Sequence, residues 1–90
     1  MQILTMPLAQ AILHELSVQG PLLKGQLVTA VGASPMAVTL HLADLERLGL
    51  VGTDVDQPAG QRQGRRVHYG VNRDAVVQAL EVLRDYLIPE

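Results

Sequence analysis

The sequence predicts a mainly α-helical α+β fold, with a three-helix core, a two-stranded β-hairpin and a C-terminal helix. In four separate segments apolar residues return every three or four positions, the period of a helix buried on one face. Between the third and fourth of these the period drops to two, as in strands with one buried side. Gly, Pro, Ser and Asn stand at the breaks between them.

Each element has its own signals. Pro7 suits the first position of a helix, where its missing N–H would have no partner anyway. Leu8, Ile12, Leu13 and Leu16 then share a face, so the first helix is expected at about 7–18, stopped by Gly20-Pro21. Leu23, Leu27, Val28 and Val31 form a second stripe, at about 23–31, that ends at Gly32. Ser34-Pro35 opens the third helix: the hydroxyl can accept from a free N–H of the first turn, and proline has its φ already set. Val38, Leu42, Leu45 and Leu48 carry its stripe over about 34–48, and Gly49 is placed to close it with a left-handed cap.

Gly32 and Ala33 leave room only for a turn, so the second and third helices have the outline of a helix-turn-helix. A hairpin is expected next, at about 50–71. Leu50, Val51, Thr53 and Val55 read as one strand, Gln57 to Gly64 as a breaker-rich tip, and Arg66 to Val71 as the returning strand. In that strand Val67, Tyr69 and Val71 take one face, Arg66 and His68 the other. Asn72 can cap a last helix at about 73–88, where Val76, Leu80, Leu83 and Leu87 form a stripe widened by Val77, Val82, Tyr86 and Ile88. No repeat, linker or low-complexity tail interrupts the pattern, and one domain over residues 1–90 is expected.

Composition narrows the function. The chain has no Cys, Phe or Trp, and its core must be aliphatic. Without cysteine there are no disulfides, thiolate metal sites or Cys nucleophiles, and redox sensing through thiols is excluded. No stretch approaches the roughly 20 apolar residues that span a bilayer, and the N-terminus lacks the basic region of a signal peptide; a cytoplasmic protein without a membrane partner is expected. The net charge of −2 runs against the basic excess usual in nucleic-acid-binding modules. Its distribution is uneven, however: Gln61 to Arg73 hold Arg62, Arg65, Arg66, Arg73 and His68 with no acid.

The stretch from Gly32 to Val51, GASPMAVTLHLADLERLGLV, resembles the recognition-helix signature of ArsR-type winged-helix repressors, with its Ser-initiated helix, His-Leu pair and closing Gly-Leu-Val. Upstream, QLVTAVGAS is similar to that family's second helix, and GRRVHYGV is similar to its returning wing strand. MarR-type and other winged-helix proteins share the general outline. The resemblance implies a winged helix-turn-helix and a sequence-specific regulator of double-stranded DNA, most simply a repressor. It places Met36, Thr39, Leu40 and Ala43 toward base edges and Ser34, with Pro35 beside it, near a phosphate. It places Arg62, Arg65 and Arg66, with Gln63 and His68 in the same wing, over the backbone or minor groove.

Helical geometry gives the same reading face independently. With Val38, Leu42 and Leu45 turned inward, Met36, Leu40, Ala43 and Arg47 face outward. That face lacks the Asn and Gln that pair bidentately with bases, and Leu40 stands where the family often has a polar or basic side chain. Direct readout should be weak, leaving the Thr39 hydroxyl, thymine-methyl contacts and arginines drawn to narrow A·T-rich minor grooves. From sequence alone Met36 and Leu40 have three open readings: core residues, thymine contacts, or a patch for a protein partner on helix 34–48. The hairpin arginines have two, DNA contact or a solvated tip.

Other chemistry is poorly supported. His14, His41 and His68 fall on three different elements without metal-ligand spacing, so no metal is expected. Ser34 before a proline reads as a cap rather than a nucleophile, and Gly60 and Gly64 lack the strand-loop-helix setting of a phosphate loop; no enzyme and no cofactor are expected. The apolar surplus of the last helix (Leu80, Leu83, Tyr86, Leu87) and of Ile3 and Leu4 suggests a second copy of the chain as partner, and the family resemblance implies a dimer through the first and last helices.

Overall fold

The computed structural model describes residues 2–54 and 66–89. Its helices are α1 (Pro7–Gln19), α2 (Lys24–Val31), α3 (Pro35–Arg47) and α4 (Arg73–Leu87), and its strands β1 (Leu22–Leu23), β2 (Val51–Thr53) and β3 (His68–Val71). A short 3₁₀ turn, Gln2–Thr5, precedes α1.

Local chemistry fixes the helix ends. Pro7 opens α1. At α2 the Gln26 side chain accepts from the Leu23 N–H at 2.8 Å, and Gly32, at φ 68°, ends the helix in the left-handed region. Ser34 caps α3, its hydroxyl oxygen accepting from the Ala37 N–H at 3.1 Å. The other end of α3 closes as a Schellman motif around Gly49 at φ 78°: the Leu50 N–H donates to the Leu45 carbonyl at 2.9 Å and the Gly49 N–H to that of Glu46 at 3.0 Å. Leu45 and Leu50, thereby brought together, are both in the core. Leu48 becomes the half-exposed C-cap rather than the end of the buried stripe.

The core is aliphatic except for Tyr69. Ile12, Leu16, Leu27, Val38, Leu42, Leu45 and Leu50 are fully buried, each contributing about 1.5–3 kcal/mol by leaving water. Ile3 and Leu4 belong to this core, each 7% exposed. The Met6 N–H donates to the Ile3 carbonyl at 3.2 Å and the Gln10 amide to that of Leu4 at 2.7 Å, folding the 3₁₀ turn back onto α1. The expectation that these two residues supply surplus surface for a second chain is corrected: their own subunit covers them.

The sheet also departs from expectation. In place of two strands there are three among the described residues, in the order β1-β3-β2, all antiparallel. Leu22 pairs with Tyr69 and Leu23 with His68 on one side of β3; Val51, Gly52 and Thr53 pair with Val71, Gly70 and Tyr69 on the other. A two-residue strand has no period to detect, and Leu23 reads as helical in sequence because it directly precedes α2. Val55, expected in the outgoing strand, lies outside the described residues.

The start of α4 is tied to two other parts of the molecule, the turn after α3 and the end of α1. The Asn72 N–H donates to the Leu50 carbonyl at 2.9 Å, its amide nitrogen to the Gly49 carbonyl at 3.2 Å, and its side-chain oxygen accepts from the Ala75 N–H at 3.2 Å. Arg73 donates to the Ser17 carbonyl near the end of α1 at 2.7 Å. Ala75, Val76 and Ala79 then pack on the core, and beyond Ala79 no residue of α4 is buried.

Candidate nucleic-acid interface

Between α2 and α3 the chain direction changes by 113°, within the roughly 90–120° of a helix-turn-helix. α3 packs through Val38, Leu42 and Leu45, which turns Ser34, Pro35, Met36, Thr39, Leu40, Ala43 and Arg47 to solvent. Of the three open readings for Met36 and Leu40, burial in the core is removed: they are 74% and 61% exposed.

The polar groups on this face are partly engaged. The Thr39 hydroxyl donates to the Pro35 carbonyl at 2.8 Å, so in this rotamer what it offers a ligand is an acceptor. Arg47 donates to Asp44 at 3.1 Å, with both side chains more than half exposed, so the pair is weak and readily exchanged. Ser34 has its oxygen on the Ala37 N–H. His41, half-buried, has Nδ1 3.0 Å from the Ala37 carbonyl, which places the ring proton on that nitrogen.

The hairpin supplies the second part. Arg66 is exposed just ahead of β3. Arg62, Gln63 and Arg65, expected to contact DNA, lie outside the described residues. His68 stands on the outer side of β3, where the Asp54 carboxylate holds it: Oδ1 accepts from the His68 N–H at 2.9 Å and Oδ2 lies 3.0 Å from the ring Nδ1. These hydrogen bonds, the backbone one foremost, keep the Asp54 carboxyl below its ordinary 3.8. Asp54, His68 and the start of α4 line a shallow groove floored by Gly52 and Gly70. Arg73, counted with the basic segment in sequence, is occupied at the Ser17 carbonyl instead.

A helix-turn-helix followed by an antiparallel hairpin, on a three-stranded sheet whose first strand precedes the second helix, leaves one architecture. The fold is a winged helix-turn-helix. No protein-family model and no curated protein matches the chain. Solved structures do. NolR from Sinorhizobium fredii superposes with a TM-score of 0.69 at 27% identity, over 94% of this chain and 77% of NolR. RV1404 from Mycobacterium tuberculosis gives 0.65 at 22% identity, over 94% of this chain and 60% of that one. The MepR–DNA complex of Staphylococcus aureus gives 0.64 at 22% identity, over 98% of this chain and 74% of MepR. This winged helix is thus shared along almost its whole length with those chains, all of which are longer.

The winged helix also carries a separate exposed surface on α4, where Leu80, Tyr86 and Leu87 are 49%, 82% and 65% exposed, with Leu83 half-buried between them. Sequence reasoning missed Asp54 and Asn72 as organisers of the site. Asp54 could have been noticed as an acid entering the hairpin opposite a histidine in the returning strand; the bridging role of Asn72 has no sequence signal beyond its capping position. Among the described residues no His, Asp and Glu side chains gather in a group of three or more, and no single described helix is long and apolar enough to cross a membrane.

Proposed function

We propose that the protein is a cytoplasmic, sequence-specific transcriptional regulator that binds double-stranded DNA as a homodimer and acts as a repressor. The observation that carries this reading is the placement of α3: packed on one side through Val38, Leu42 and Leu45, it turns Ser34, Thr39 and Arg47 outward with Met36 and Leu40 at the recognition position of a winged helix-turn-helix, beside a wing on which Arg66 is exposed. The likeness to MepR, a transcription regulator solved in complex with DNA, supports it, as does the resemblance of Gly32 to Val51 to ArsR-type repressors.

In this reading α3 enters the major groove, Ser34 and Pro35 lie near a phosphate, and Met36, Leu40 and Ala43 meet thymine methyls. Thr39 accepts from a base amino group, and Arg47 exchanges Asp44 for the DNA backbone. Arg62, Gln63, Arg65, Arg66 and His68 of the wing supply phosphate and minor-groove contacts. Because methyl contact and groove narrowness favour A·T pairs, A·T-rich sites are preferred. Leu80, Leu83, Tyr86 and Leu87 of α4 join two copies, which sets their recognition helices about 34–36 Å apart on a pseudo-palindrome.

A second reading is a protein-docking winged helix, favoured by the net charge of −2 and the apolar character of the same face. A mobility-shift titration of wild type and Arg65→Ala/Arg66→Ala separates the two. DNA binding predicts that the double variant loses most duplex affinity and that the slope of log affinity against log salt shrinks by about 0.9 for each phosphate contact removed. No wild-type shift at low salt sinks the DNA reading in favour of the second.

A further inference from the structure

We propose that Asp54 is a positioning residue for DNA binding: its carboxylate joins the two strands at the root of the wing, holds the His68 ring and sets where Arg66 departs from the sheet. The inference rests on the DNA reading above. Two features of the hairpin support it, and a third makes it testable.

The first is the way the ladder ends. Thr53 opposite Tyr69 is the last regular pair. One step further, the His68 N–H donates to a carboxylate oxygen of Asp54 at 2.9 Å, while the Asp54 N–H donates to the His68 carbonyl at 3.3 Å. The second carboxylate oxygen takes the His68 ring at 3.0 Å. One side chain therefore fixes both the backbone and the imidazole of the facing residue.

The second feature is that, among the described residues, the neighbouring β2–β3 pair on that side of the sheet carries no side chains. Inward-facing Val51 and Thr53 have Val71 and Tyr69 opposite them, whereas the outward pair is Gly52 with Gly70, which has no side chains to interact. Neither glycine has a positive φ, and a Cβ on Gly52 would meet nothing within 4 Å, so local crowding does not require them. Glycine weakens a strand by its entropy and its missing contacts. Among the described residues, the side-chain contact between β2 and β3 on the outer face is therefore that of Asp54 with His68.

The third is charge. A carboxylate beside a phosphate-binding surface opposes binding through space, and this one stays ionised. Its simple electrostatic effect and its positioning effect consequently have opposite signs, which makes them separable.

Duplex affinity is measured by fluorescence anisotropy across a salt series for wild type, Asp54→Asn, His68→Asn and the double variant. Asp54→Asn deletes a negative charge, and electrostatics alone would tighten binding. Positioning predicts binding weaker by about three- to fivefold, the scale of an exposed ion pair, together with a shallower salt slope. The double variant should lose little more than either single one, because the two residues act as a unit. A defect of folding alone lowers the active fraction and leaves the slope unchanged. Tighter or unchanged binding by Asp54→Asn, an unchanged slope, or additive losses in the cycle each overturn the proposal. A wild-type protein that binds no duplex overturns the DNA reading itself and this inference with it.

Discussion

Helices α3 and α4 are built from similar parts and end in different states. Both begin at a polar cap, Ser34 and Asn72, and both carry apolar residues at helical spacing. In α3 the buried positions Val38, Leu42 and Leu45 run the length of the helix, so its exposed residues stand on a rigid support. In α4 only Ala79 is buried, and from Leu80 to Ile88 the apolar side chains are half-buried or exposed. An exposed pair on a well-anchored helix is suited to reading a surface. A continuous exposed stripe on a helix anchored only by its first turns is suited to joining another copy of itself, because burial elsewhere must supply the stability that its own subunit does not.

The largest test of this contrast is a core truncation. Leu42→Ala should destabilise the fold by about 2–5 kcal/mol in denaturant unfolding, since it leaves a cavity behind α3. An equal cost from Leu87→Ala in the monomer would erase the distinction between the helices. Next in size is the loss of the proposed assembly: if α4 joins two copies, Tyr86→Asp/Leu87→Asp should convert that dimer to a monomer by light scattering, weakening association by about tenfold or more for each anchoring side chain lost. An unchanged mass would show that α4 serves another purpose.

Smaller effects test the anchors. Asn72→Ala removes a cap and a bridge to the Gly49 carbonyl together and should cost about 1–2 kcal/mol. Ser34→Ala removes only a cap and should cost about 1 kcal/mol. The smallest effect is on the acid side. The Asp54 carboxyl is lowered in the folded state, so what it contributes is fully present above its ordinary 3.8 and disappears as pH falls through the lowered value. Wild type and Asp54→Asn should therefore differ in thermal unfolding above the ordinary 3.8 and converge as pH falls through the lowered value.

Much of this architecture is legible in the sequence because helix boundaries are written in local chemistry. Ser34-Pro35, Gly49 and, in its capping role, Asn72 act within a few residues of themselves, and the stripe of α3 contains its own period. Strand β1 is not legible, since Leu22 and Leu23 are extended only because Tyr69 and His68 lie alongside. The fate of Ile3 and Leu4 is likewise decided by folding back onto α1, and that of Arg73 by a carbonyl 56 residues away. Apolar pattern identifies which residues want cover; it does not say whether the cover is the same chain. The site follows this division: the face of α3 comes from periodicity, whereas the Asp54–His68 pair depends on a register set across 14 residues.

The most direct test of the central claim is a methyl NMR titration of the protein with a pseudo-palindromic A·T-rich duplex. The account predicts that the methyl signals of Met36 and Leu40 shift on binding while those of Leu80 and Leu87, placed by the proposal in the contact between two copies, stay in place. Shifts confined to Leu80 and Leu87, with Met36 and Leu40 unmoved, would contradict it.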